Sequence, residues 1–188
     1  MSGNNTSVFG IYNDRAAVER AVESLRDVGF RSVDISVLFS ANVGSKDLAH
    51  EKATKAPEGA TAGGGTGALV GGALGWLAGI GALTIPGAGP FIAAGPIMAA
   101  LAGGAVGGAV GGSAGALIGL GIPEYEAKRY DGRVQKGGLL LSVHSDDAEW
   151  TKLAKEVLER TGAEDIASTA EKPGDYQKSD RPMPRVSI

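Results

Sequence analysis

The 188 residues contain no cysteine. Disulfide scaffolds, thiolate-ligated metal clusters and cysteine nucleophiles are thereby excluded. Histidine is almost as scarce. His50 and His144 lie far apart, and two imidazoles are too few for a multi-histidine metal centre. Aromatic residues amount to 5% and the formal net charge is -3. A nucleic-acid partner, which calls for clustered Lys and Arg, is not expected. The largest absence is local. Between Gly59 and Pro123, a run of 65 residues, there is no Asp, Glu, Lys, Arg or His.

Glycine fills that run, with 22 of the chain's 31. Gly63, Gly67, Gly71, Gly75 and Gly79 repeat at every fourth position, and so do Gly103, Gly107, Gly111, Gly115 and Gly119. On a helix this spacing makes a slowly drifting groove without side chains, into which a second helix can pack closely. Leu69, Leu74, Leu77, Ile80 and Leu83 mostly occupy the other faces of the first register. The pattern predicts helices over 61–83 and 97–121, each on the order of 30 Å long and able to match a bilayer core. Pro86, Gly87, Gly89, Pro90, Gly95 and Pro96 predict an apolar reversal between them.

Magnitudes limit that reading. Aliphatic residues favour membrane insertion by about 0.3–0.6 kcal/mol each, so six per helix give roughly 2–4 kcal/mol. Each interior glycine costs about 1 kcal/mol against alanine in an aqueous helix. Paired glycine faces must supply the rest. Burial in lipid and burial inside a soluble oligomer both fit, whereas two separate five-fold registers argue against a loose Gly/Ala linker.

The charged ends read as folded structure. Ser7–Tyr12 predicts a strand, and Asn13 or Asp14 caps a helix with Ala17, Val18, Ala21, Val22 and Leu25 on its apolar face, stopped by Gly29. Val33–Phe39 predicts a second strand. Pro123 opens a charged helix reaching Lys136, in which Tyr125, Tyr130 and Val134 dock on a sheet. Leu139–His144 predicts a third strand. Ser145 or Asp146 caps a helix carrying Trp150, Leu153, Ala154, Val157 and Leu158, ended by Gly162. Glu164–Thr169 predicts an edge strand, and the remainder a polar tail.

The order is the split βαβ pattern of an α+β, ferredoxin-like sandwich, interrupted between strands 2 and 3 by a long Gly-rich, transmembrane-like helical hairpin. The expected organisation is a first half over 1–58, the hairpin over 59–122, a second half over 123–170 and a tail over 171–188. Met1 to Ser7 is polar, without a basic and apolar signal segment. Lys46, Lys52 and Lys55 before the hairpin and Lys128, Arg129, Arg133 and Lys136 after it place both flanks on the cytoplasmic side.

Three stretches resemble a bacterial family, the general stress protein 17M-like group of heat- or low-temperature-induced proteins. They are Phe9 to Val22, the Ile85–Pro96 turn, and Gly121 to His144. The resemblance implies a stress-associated, glycine-zipper, membrane-type protein without a defined activity, and brings no catalytic residue.

Candidate chemistry is sparse. Gly63–Gly67 lacks the Lys-Ser or Lys-Thr of a phosphate loop and follows no strand. His144 stands beside Ser142, Ser145 and Asp146, too close in sequence for an assembled triad. No catalytic, metal or cofactor-binding residue is expected, and no small-molecule ligand can be named. Lys128, Arg129 and Arg133 are candidates for contact with anionic lipid headgroups, at about 1 kcal/mol each.

The expected function is that of a non-enzymatic stress protein of the bacterial inner membrane, termini cytoplasmic, whose zipper hairpin inserts and self-associates. The alternative is a cytoplasmic homo-oligomer, a shell, ring or filament, that buries the same helices. A ligand-binding sensor is a third possibility.

Overall fold

The computed structural model describes residues 5–41, 73–77, 79–85, 89–102 and 113–170. The chain opens with β1 (Thr6–Tyr12), in which every residue after Thr6 is buried. Asp14 then caps α1 (Arg15–Asp27), its carboxylate accepting from Ala17 N at 2.8 Å. The helix buries Ala17, Val18, Ala21, Val22 and Leu25, the apolar stripe that a 3.6-residue period dictates. A short 3₁₀ turn, Ser32–Asp34, leads into β2 (Ile35–Ser40). Asp34 is buried there, but Arg31 meets both of its carboxylate oxygens at 2.7 Å, so the charge is paired.

Within the uncharged run, a 3₁₀ turn (Ala73–Trp76) precedes β3 (Gly81–Ile85) and β4 (Gly89–Ala94). Two short helices follow, α2 (Gly95–Ala102) and α3 (Ser113–Gly119). The charged second half supplies α4 (Glu124–Gln135), β5 (Leu139–Ser145), α5 (Ala148–Arg160) and β6 (Glu164–Ala170). Asp147 caps α5, its Oδ1 accepting from Glu149 N and Trp150 N at 2.9 Å each.

The six strands form one sheet in the order β3-β4-β2-β5-β1-β6, every neighbouring pair antiparallel. The strand–helix–strand units β1–α1–β2 and β5–α5–β6 interleave, because β5 lies between β1 and β2 and β1 lies between β5 and β6. Both faces are covered. One carries α1, α5 and the 3₁₀ turn, with Val18, Leu25, Leu74, Trp150 and Leu158 against Val8, Val37 and Leu141. The other carries α2, α3 and α4, with Ile97, Leu117, Tyr130 and Val134 against Phe9, Leu38, Phe91 and Leu140. Leu139 to Val143 is accordingly buried without alternation, the mark of a strand sandwiched between two layers.

The expected ferredoxin-like sandwich interrupted by a transmembrane-like glycine-zipper hairpin is not what forms. The structure is a six-stranded antiparallel sheet with short helices, and two of its strands come from the uncharged run, β3 from the end of the first expected helix and β4 from the expected reversal. Among the described residues no helix is long and apolar enough to cross a membrane. Among the described residues of the uncharged run the longest helix, α2, has eight residues.

The reason lies in glycine itself. It carries no side chain to hold a helix together, and it readily takes backbone conformations that end one. Gly79 stands at φ +64° and Gly95 at φ +68°, which interrupts both predicted helices or their flanks. Thr84, Ile85, Phe91 and Ile92, β-branched or aromatic, favour the extended chain instead. Gly75 falls in the 3₁₀ turn, and Gly115 and Gly119 on α3. Gly89 and Pro90 begin β4 rather than a reversal, while Gly95 and Pro96 begin α2. Gly63, Gly67, Gly71, Gly103, Gly107, Gly111, Pro86 and Gly87 lie outside the described residues.

Candidate interaction surface

Where α4 meets β6, the second half of the chain builds a charged, partly open surface. Pro123 precedes the helix, and its carbonyl accepts from Ala127 N at 2.9 Å. The helix turns Ala127, Tyr130 and Val134 into the core and leaves its charges outward. Tyr130 lies within 6.1 Å of the Phe9 ring and donates its hydroxyl to the Asp165 carbonyl at 3.0 Å. That bond ties α4 to the edge strand. Burial pushes the Tyr130 phenol up.

The three cations singled out in the sequence are all engaged. Lys128 pairs with Glu124 one turn back at 2.6 Å. Arg133 pairs with Glu164 and, at 3.5 Å, with Asp165. Arg129 stands 3.8 Å from Asp165, its guanidinium over the Tyr130 ring. Asn13, at the far end of β1, donates to Glu164 at 2.6 Å. The Arg133 guanidinium, then Asn13, hold the Glu164 carboxyl below the usual range. Lys128 does the same for Glu124. Sequence reading found the cations and missed Glu164 and Asp165, whose only signal was their place in an edge strand.

Tyr125 departs from expectation. It was read as docking on the sheet beside Tyr130, but it is 77% exposed. Its position, five residues before Tyr130 and two before Ala127, puts it on the outer side of the helix. An exposed tyrosine beside Arg129 is a pair of residue types enriched at protein contacts.

His144 and its neighbours do not assemble a hydrolytic site. His144 Nε2 lies 3.1 Å from Asp146 Oδ1. Strand alternation sends Ser145 to the α1/α5 layer and Ser142 and His144 to the other. The Ser145 hydroxyl is buried and has no hydrogen-bond partner among the described residues. No cluster of three or more metal-ligating side chains occurs among the described residues. An open groove of about 840 Å³ runs between α5 and the β6 edge, lined by Thr6, Asp147, Thr151, Lys155, Glu159 and Ser168. Its mixed charges and open shape suit a protein surface better than the enclosed, apolar pocket of a small ligand.

A family model described as Alternative complex III, ActD subunit, matches residues 6–168, which is well over half of the chain. The chain belongs to the ActD family. It therefore has protein partners, being of a kind that serves as one subunit among several, and not only copies of itself. Its complex is membrane-associated. No match was found among curated proteins or among solved structures.

Membership in the ActD family replaces the resemblance to the general stress protein 17M-like group, and with it the stress role and the self-inserting zipper. The stretches behind that resemblance hold core positions: Phe9, Ile11 and Tyr12, Phe91 and Ile92, and Tyr130 with Leu139 to Leu141 are all buried.

Proposed function

We propose that the chain is a non-enzymatic structural subunit of alternative complex III, a respiratory electron-transfer assembly, joining its neighbours through surface contacts and adding no redox centre. The family match across residues 6–168 carries this reading. The sequence chemistry supports the structural part of it. A chain without cysteine offers no thiolate to an iron–sulfur cluster and no attachment point for a c-type haem. Tyr125 with Lys128 and Arg129 then supplies one contact, an aromatic anchor among cations.

The complex lies at the bacterial inner membrane in this reading, with both termini of the chain on the cytoplasmic side. The chain is held there through its partners. Of the three cations singled out in the sequence, Lys128, whose side chain is 59% exposed, is the most open to an anionic headgroup.

Deleting the chain from the cell tests the proposal. The expected result is loss of the full-size complex on a native gel, while the remaining cofactor-bearing subunits keep their absorption spectra. Remaining subunits that still assemble together but lack one cofactor band would place a redox centre in this chain and overturn the reading.

A further inference from the structure

The two edges of the sheet are built differently. β6 is guarded. Its pairing with β1 shifts register between Phe9 and Ile11, Asp165 sits at φ +52°, and Glu164 and Asp165 are tied to Arg133 and Arg129. Bulges and charges of this kind stop a foreign strand from adding to an edge. β3 has none of them. Gly81, Ala82, Leu83, Thr84 and Ile85 are uncharged, contain no proline, and pair with β4 residue for residue without a break. Ala82 and Thr84 are exposed. Among the described residues no strand pairs with the outer side of β3.

A regular edge strand presents a row of backbone donors and acceptors along its free side, a template for one more strand. Each ladder bond it gains adds to the affinity for that strand. We propose that β3 receives an extended, uncharged segment of a neighbouring subunit, which becomes the seventh strand of the sheet. The inference rests on the assembly role above and names the surface that performs it. The occupant is a neighbouring subunit because the family places this chain among other proteins. Its segment is uncharged because β3 and the sequence on either side of it offer no charged side chain for an ion pair.

The test compares tagged wild-type chain with the double variant Ala82→Lys/Thr84→Lys, each isolated from detergent-solubilised membranes. Both side chains are exposed, so the variant keeps its fold, which circular dichroism checks. Neighbouring subunits recovered with the variant are expected to fall roughly tenfold, while Ala170→Lys, exposed on the guarded edge and outside the groove beside α5, leaves recovery unchanged. Full recovery with the double variant overturns the inference. Amide exchange supplies a readout free of mutation. Residues 81–85 are expected to exchange fast in the isolated chain and slowly in the complex. Equal protection in both means that the chain itself or a second copy covers the edge, which also overturns it. Wild-type chain that recovers no neighbours at all defeats the assembly reading first, a result distinct from full recovery with the variant.

Discussion

Gly95 turns the chain from β4 into α2 at φ +68°, a conformation that side chains with a Cβ rarely adopt. A methyl group there would lie 2.8 Å from Ser36 Oγ and closer still to the Ile35 carbonyl oxygen. The close approach lets Ser36 Oγ accept from Ile97 N at 3.4 Å and satisfy one free donor at the start of α2. Gly95→Ala is therefore expected to lower stability by about 2–4 kcal/mol, through backbone strain and overpacking together. Urea unfolding measures this, and an unchanged midpoint would mean that the elbow is absent in solution. Gly10 makes a second close approach, where an added Cβ would meet Ala163 Cβ at 2.9 Å beside the register shift of β1 and β6.

Among the elements, α4 and β6 depend on each other through charge. Glu164 is depressed by Arg133, so its contribution to stability is present above the ordinary carboxylate pKa of 4.5 and lost as pH falls through the lower folded value. The pair is open to water, and its effect is correspondingly modest. NMR titration should find the Glu164 midpoint below 4.5, and Arg133→Ala should raise it towards the usual range, the Asn13 hydrogen bond keeping part of the shift. A midpoint that does not move would show that the pair is not formed.

The elements of the charged ends were legible. The five apolar positions of α1 repeat at helical spacing and all five are buried. Trp150, Ala154, Val157 and Leu158 do the same in α5. Its cap was misplaced by a residue or two, since Ser145, Asp146 and Asp147 are chemically alike in a sequence and only Asp147 reaches the helix. The uncharged run was not legible in the same way. A spacing of four is two strand periods as well as roughly one helical turn, and glycine has no side chain to decide between them. The strand signal in Thr84, Ile85, Phe91 and Ile92 lay next to prolines and glycines that read as a turn. At the surface, Arg129 and Arg133 stood out as cations. Their partners sit more than thirty residues away, and only the sheet brings them together.

For the whole molecule, the described part of the neutral run finds its apolar surroundings inside the sheet and its second helical layer. Ile97, Leu101 and Leu117 bury against Phe91 and Leu38, which accounts for the absence of charge at these positions. As a member of the ActD family the chain has protein partners besides itself. Native mass spectrometry of the tagged chain from membranes tests that claim most directly. One mass, in which this chain stands in fixed ratio with different subunits, is the predicted result. A series of masses made only of multiples of this chain would contradict it.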